Sequence, residues 1–151
     1  MTAISPPRLL APALLAALLA AGTVPPAEAG RLRIVQAHPG GGGSVATVAG
    51  RHGPHGGHAV RRGHTAVGPD GSATHAGRFT AANARGSIAS SGTSSRDAQG
   101  HASASRQTTV TNAATGHSAQ VSASYSRTDS GMSAQRTVSC HDAAGQAIAC
   151  R

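Results

Sequence analysis

The stretch of sequence that decides the fold is residues 117–140, HSAQVSASYSRTDSGMSAQRTVSC. Apolar and polar residues alternate on both sides of its central Asp-Ser-Gly. Before this tripeptide, Ser or Gln separates the odd-numbered residues Ala119, Val121, Ala123 and Tyr125. After it, Ser133, Gln135, Thr137 and Ser139 alternate with Met132, Ala134, Arg136, Val138 and Cys140. Strict alternation indicates a β-strand, because successive side chains point to opposite faces, and the whole stretch therefore predicts a β-hairpin.

The turn of this hairpin belongs to a series of turns. Glycines recur at intervals of 14 to 16 residues, at Gly71, Gly86, Gly100, Gly116, Gly131 and Gly145. One Asp or Asn precedes each glycine, and these residues are Asp70, Asn83, Asp97, Asn112, Asp129 and Asp142. An Asx side chain accepts hydrogen bonds from the nearby backbone and Gly tolerates positive φ, so each pair favours a turn. We infer an internal repeat of about 15 residues, with a strand of about ten and a turn of about five.

These repeats predict an all-β fold, an antiparallel meander of about six or seven strands from about residue 58 to residue 151. Small residues would line its inner face, and Arg106 and Arg136 fall on the same face, which indicates an incomplete or partly wet core. The pattern leaves open a monomeric meander and a stacked or fibrillar self-association, which small alternating side chains favour. Cys140 and Cys150 flank the last Asx–Gly turn and predict a disulfide across the last hairpin.

The chain after residue 29 is poor in core-forming side chains. Leu, Ile, Val and Phe number 13 of its 122 residues. This proportion of about a tenth lies below the fifth or so that separates globular from disordered chains. The two aromatic residues are Phe79 and Tyr125. The composition therefore leaves two alternatives, a thin and regular β-architecture built from small residues, or a largely disordered secreted polypeptide.

Residues 1–29 predict a cleaved secretory signal peptide. Arg8 precedes an apolar stretch of Leu and Ala, and the small residues Ala27 and Ala29 precede a predicted cut between Ala29 and Gly30. The apolar stretch, about 13 residues long, is too short to cross roughly 30 Å of hydrocarbon, and no later segment is apolar enough to form a transmembrane segment. We therefore expect a secreted or periplasmic bacterial protein.

Residues 30–69 differ in composition from residues 70–151. The first segment has five Arg, five His and no acidic residue, and it contains the glycine run at 40–43. Such Gly-rich, His-rich and Arg-rich composition favours a flexible chain, so we expect residues 38–64 to be mostly unstructured. Residues 31–36 form a possible short strand. The β-repeat domain is expected over residues 70–151.

The basic charge of the chain comes from arginine alone. All 13 basic residues are Arg, and the formal net charge is +8 at neutral pH. A guanidinium binds phosphate and carboxylate bidentately, so we expect partners such as anionic envelope glycans or lipid head groups. A GC-rich genome is the competing explanation for the Arg content. Nucleic acid is a disfavoured partner, because the chain lacks aromatic platforms for bases and any recognisable binding motif.

The histidines form the candidate metal site. His52, His55 and His58 recur at intervals of three among glycines, and His64 lies six residues farther on. Imidazole is a common ligand for Cu, Zn and Ni, and a glycine-rich loop can wrap around such an ion. The competing explanation is a His-rich flexible linker with incidental metal affinity.

The inventory of reactive side chains disfavours an enzyme. All four Asp residues after residue 29 are explained as turn residues, and no Glu follows Glu28. No nucleophile-elbow or phosphate-loop pattern occurs, so no catalytic residue is predicted. Three functional hypotheses remain: an exported non-enzymatic repeat protein that binds or assembles through a basic β surface, a small exported metal-binding protein, and a disordered secreted polypeptide.

Overall fold

The computed structural model describes residues 29–53 and 56–150, and within these ranges the chain forms one open sheet of nine antiparallel strands. The strands are β1 (Ala29–Ala37), β2 (Gly43–His52), β3 (His58–Val67), β4 (Ala73–Asn83), β5 (Gly86–Arg96), β6 (Ala102–Asn112), β7 (Ser118–Thr128), β8 (Gly131–His141) and β9 (Ala147–Ile148). Their spatial order is their order in the sequence, and each contacts only its sequence neighbours. The predicted all-β meander is confirmed.

The Asx–Gly turns form as the sequence predicts. The Asn83 side-chain oxygen accepts hydrogen bonds from the backbone N–H groups of Arg85 and Gly86, at 2.8 and 3.2 Å. The Asp142 carboxylate accepts hydrogen bonds from the N–H groups of Ala144 and Gln146, at 2.9 and 2.8 Å. Gly145 has a φ of 81°, a conformation that only glycine adopts readily. These local contacts reverse the chain between β4 and β5 and between β8 and β9.

The register gives the sheet two faces of different composition, because paired residues on neighbouring strands share a face. The arginine face carries Arg31, Arg33, Arg51, Arg61, Arg96, Arg106, Arg127 and Arg136. It also carries the larger apolar side chains of β4 to β8, which are Phe79, Ile88, Val110, Val121, Tyr125, Met132 and Val138. On β5 to β8 the opposite face, the hydroxyl face, consists almost entirely of Ser, Thr and Gln.

Hydroxyl groups pair across the strands of the sheet. On the hydroxyl face, Ser95 and Ser103 lie 2.8 Å apart between β5 and β6, and Ser126 and Ser133 lie 2.8 Å apart between β7 and β8. On the arginine face, Ser90 and Thr108 approach to 2.9 Å. Such cross-strand pairs each stabilise a sheet by about 0.2–1 kcal/mol.

The sheet is a single layer in which no described residue is fully buried. Val138 is 52% exposed and Met132 is 73% exposed, although both lie within β8. The expected inner face therefore has no covering layer within residues 29–53 and 56–150. Backbone ladders and cross-strand pairs hold this sheet together, with little contribution from apolar burial.

The expectation of a mostly unstructured segment at residues 38–64 is wrong for the part of it that the structure describes. β2 and β3 occupy most of that segment and pair with each other over ten residues, from Gly43 with Val67 to His52 with His58. The glycine run lies in the β1–β2 turn and at the start of β2, while Val45, Thr47 and Val48 supply the β-branched residues that a strand favours. The sheet also continues across the expected boundary at residue 70, because β3 pairs with β4. The strand expected at residues 31–36 is confirmed as β1.

The disulfide is confirmed. Cys140 and Cys150 are bonded, with their Cα atoms 5.3 Å apart. The bond ties the residues after β9 to the arginine-face side of β8. The predicted signal peptide lies outside the described residues except for Ala29, the first residue of β1. Within the described ranges there is no helix long and apolar enough to cross a membrane.

Candidate functional site: an arginine-lined trough

The centre of the arginine face is lowered by a row of glycines. Gly63 of β3, Gly77 of β4 and Gly92 of β5 lie directly opposite one another. Thr47 and Arg106 continue the row at its two ends. At a strand spacing of about 4.8 Å the glycines open a floor about 10 Å long, running across the strands. No Cβ atom projects from this floor, so the neighbouring rows form the walls of a trough.

The trough includes a concavity of about 450 Å³. Its lining on the arginine face includes Arg31, Arg61, Arg106, His75 and Phe79 above the glycine floor. A guanidinium from β1, another from β3 and a third from β6 therefore surround one depression. This arrangement brings together residues that are up to 75 positions apart in the sequence.

His75 is positioned over the floor of the trough. Its Nδ1 atom lies 2.8 Å from the Thr65 hydroxyl on the paired position of β3. A Cβ atom placed on Gly77 would lie 3.2 Å from His75 Nε2, and one placed on Gly63 would lie 3.4 Å from His75 Cε1. The imidazole thus covers the space that the two missing side chains leave free, with Nε2 directed toward the floor.

In the part of the chain that the structure describes, no acidic side chain lines the trough. The carboxylates after residue 29 are Asp70, Asp97, Asp129 and Asp142, all in turns at the ends of the sheet. Among the described residues, the ion pairs within 4.0 Å both involve His101, and none involves an arginine. The arginine side chains of the described residues are all exposed. Exposed guanidinium groups on a face without carboxylates are free to bind external anions.

The structure brings together two of the four histidines of the predicted metal site. His52 and His58 are directly paired across β2 and β3, with ring centroids 6.4 Å apart and planes inclined by 39°. His64 lies six residues along β3 from His58, a separation of about 20 Å, and does not join them. His55 lies outside the described residues. In residues 29–53 and 56–150, no group of three or more potential metal-binding side chains has the geometry to hold an ion.

A second histidine contact was not predicted from the sequence. His101 Nδ1 lies 2.7 Å from Asp97 in its own turn, and His101 Nε2 lies 3.1 Å from Asp129 in the β7–β8 turn. Hydrogen bonds to Asp129 and then to Asp97 raise the pKa of His101. An imidazolium donates through both nitrogens, so the charged form bridges two neighbouring turns. The signal in the sequence that could have indicated this contact is the Asx series, because Asp97 and Asp129 belong to alternate turns of the meander, which lie at the same end of the sheet.

The glycine row was also missed by sequence reasoning. Gly77 and Gly92 fall outside the 15-residue series of turn glycines, and Gly63 lies in the segment expected to be flexible. Only the register of β3, β4 and β5 aligns them. Glycine in the middle of a strand weakens the strand and often marks a place where another group approaches the backbone closely.

Comparison with known proteins finds no family model, curated protein or solved structure that matches this chain.

Proposed function

We propose that this chain is an exported, non-enzymatic protein of the bacterial envelope or exterior that binds anionic glycans through its arginine face. The observation that carries the proposal is the presence of eight exposed arginines on a face that holds no carboxylate. Ordinary surfaces intersperse charges of both signs. A face with one sign of charge attracts a polymer of the opposite sign.

The shape of the face favours a chain-like ligand. The trough crosses β3 to β5 with Arg61 and Phe79 on one wall and His75 on the other. Each exposed ion pair contributes only about 0.2–1 kcal/mol, so useful affinity requires several contacts at once. A glycan with repeated carboxylate or phosphate groups supplies such contacts along its length. Anionic lipid head groups have the same chemistry but form a plane, and they are the alternative outcome of the experiment.

Export is the second part of the proposal. The predicted cut between Ala29 and Gly30 falls at the first residue of β1, so cleavage leaves the sheet intact except for Ala29. An oxidised Cys140–Cys150 bond suits an oxidising compartment. Mass spectrometry of the protein recovered outside the cytoplasm should identify Gly30 as its first residue. Recovery of an uncut chain in the cytoplasm would contradict export.

The binding experiment compares two triple variants with the same charge. One carries R31Q, R61Q and R106Q in the trough, and its control carries R51Q, R85Q and R127Q, which do not line the concavity. The probes are alginate, a carboxylated glycan, phosphatidylglycerol vesicles, and dextran as a neutral glycan. Loss of three contacts should weaken alginate binding about tenfold, and the control triple should change it less than about threefold.

Three results would contradict this proposal. Equal losses in the two triple variants would mean that net charge alone drives binding. Tighter binding to vesicles than to alginate would assign the face to lipid. If the protein bound dextran as tightly as alginate, charge would not be what drives binding.

Metal binding is the second candidate function, favoured by the direct pairing of His52 and His58. Two neutral imidazoles at one end of a hairpin can hold Cu, Zn or Ni together with backbone or solvent ligands. Titration calorimetry with Cu(II) should show binding that is lost in H52A and in H58A and retained in H64A. Equal loss in H64A would contradict the two-histidine site.

A further inference from the structure

The described sheet has two strand edges without a partner. β1 pairs with β2 alone. β8 pairs with β7 along its whole length, whereas β9 covers only Cys140 and His141 of its other edge. Residues 131–139 of β8 are therefore free on that side. The free stretch of β8 has the same length as β1, which has nine residues.

The turns show which backbone groups point outward from these edges. The His38 N–H donates to the Gly42 carbonyl at 3.3 Å, and the hydrogen-bonded pairs of β1 and β2 alternate from there. Even-numbered residues of β1 consequently bond to β2. The outward N–H and C=O groups belong to Arg31, Arg33, Val35 and Ala37.

The same reasoning applies to β8. The Asp142 N–H donates to the Gln146 carbonyl at 2.9 Å, so Cys140 bonds toward β9 and the even-numbered residues of β8 share that direction. The outward groups along its free stretch belong to Met132, Ala134, Arg136 and Val138. All of these residues, on both edges, carry their side chains on the arginine face.

We propose that a second copy of this chain pairs its β1 antiparallel with the free edge of β8. The register that matches all outward groups places Arg31 opposite Val138, Arg33 opposite Arg136, Val35 opposite Ala134, and Ala37 opposite Met132. Each of these pairs exchanges two hydrogen bonds, about eight in total. The same register continues the arginine face from one copy to the next. A shift by one residue would remove these hydrogen bonds and would place the arginine face of one copy beside the hydroxyl face of the other.

A second copy fits this edge better than an unrelated strand does. β1 and β8 run in opposite directions in the sheet, so a copy displaced along the sheet continues the antiparallel meander. Neither free edge contains proline or a bulge, which are common devices against edge pairing, and the charged residues at these edges are Arg31, Arg33 and Arg136. The contact joins two different edges, so it adds copy after copy and forms a filament unless the rotation between copies closes a ring.

The seam contains one repulsive contact. Arg33 and Arg136 lie directly opposite each other, and like charges in this position destabilise a sheet. Salt screens such exposed charges, so assembly should increase with ionic strength. Binding of an anionic glycan should decrease with ionic strength for the same reason. The two processes therefore respond to salt in opposite directions, and the failure of one is distinguishable from the failure of the other.

The first test uses sedimentation velocity of the purified, oxidised protein at increasing NaCl concentration. V35P removes an outward N–H of β1 without removing a bond between β1 and β2, and V35A is its matched control. The V35P variant should need at least about tenfold more protein to assemble, and V35A should behave as the wild type. Assembly of V35P at wild-type concentrations would overturn the proposal.

The second test examines the proposed register between β1 and β8 and uses no proline substitution. R33E and R136E each place Glu opposite Arg at the seam, so each single variant should assemble at lower salt than the wild type. The double variant R33E/R136E places Glu opposite Glu and should again require salt. Single variants that assemble no better than the wild type, or a double variant that assembles as well as the singles, would overturn this register.

Discussion

Filling the glycine row should separate the stability of the sheet from its binding function. The substitution is G77T, at the centre of the trough floor. Gly77 lies in extended backbone outside the left-handed region, so threonine is compatible with its conformation. The matched control is G50T in β2, on the hydroxyl face, where an added Cβ meets only the Ala59 carbonyl at 3.7 Å and Val60 Cγ2 at 4.0 Å.

Both substitutions should raise the stability of the sheet, G77T by less than G50T because His75 must move, and only G77T should weaken alginate binding. Replacing a strand glycine by a β-branched residue stabilises a sheet by about 0.5–1 kcal/mol, and for a chain of this size the melting temperature rises by about 2–6 °C. In G77T the new Cβ lies 3.2 Å from His75 Nε2, so the imidazole must move and the floor rises. We expect alginate affinity to fall about threefold to tenfold, the equivalent of about 0.7–1.4 kcal/mol.

The assays are thermal unfolding followed by far-ultraviolet circular dichroism, and binding of fluorescently labelled alginate at fixed low ionic strength. A G77T variant that is more stable than the wild type and binds alginate equally well would refute the assignment of the trough as the binding site. Equal weakening in G50T and G77T would also refute it, because G50T leaves the trough unchanged.

Three further predictions concern the turns and the disulfide. Hydrogen bonds raise the pKa of His101 in the folded state, so its protonated bridge stabilises the fold fully below pH 6.5. This stabilisation is lost as the pH rises through the pKa of the folded state. H101Q should remove that loss from the free energy of unfolding, measured in urea at a series of pH values. N83A removes an acceptor of two backbone hydrogen bonds and should destabilise the sheet by about 1 kcal/mol in the same assay, whereas N83D, which keeps the acceptor, should cost less. Replacing Cys140 and Cys150 together by Ser should lower the free energy of unfolding by about 3 kcal/mol, the value that the chain-entropy model gives for this loop. Hydrogen exchange should become faster at Ala147 and Ile148 and should stay unchanged in β2 to β7.

Local sequence signals were sufficient for most of the sheet. Alternation in residues 117–140 predicted β7, the turn at Asp129 and β8, because period-two patterning and turn chemistry both act over a few residues. The disulfide followed from the position of Cys140 and Cys150 beside the last turn. β2 was missed, and the expected unstructured segment also overlapped the start of β3, because glycine and histidine dominate the composition around Val45, Val48 and Val60 and obscure the alternation.

The candidate site depends on long-range register and could not be predicted in the same way. Gly63, Gly77 and Gly92 form a row only after three strands have paired. Arg31 of β1 and Arg106 of β6 border the same depression although four strands lie between them. The bridge from His101 to Asp129 likewise joins two turns 28 residues apart. The structure places His64 about 20 Å from His58, because a strand holds residues six positions apart at a fixed distance.

The strict meander has a consequence for how the protein folds and unfolds. Every strand contacts only the strand before it and the strand after it in sequence, so contact order is low and any hairpin can act as a folding nucleus. Stability is then close to a sum of nearest-neighbour interactions, as in repeat proteins. Unfolding should begin at the two outer strands and proceed inward, with hydrogen-exchange protection increasing from β1 and β9 toward β5. An architecture of this kind also tolerates gain or loss of a whole strand-and-turn unit, which gives gene duplication a simple way to lengthen the arginine face.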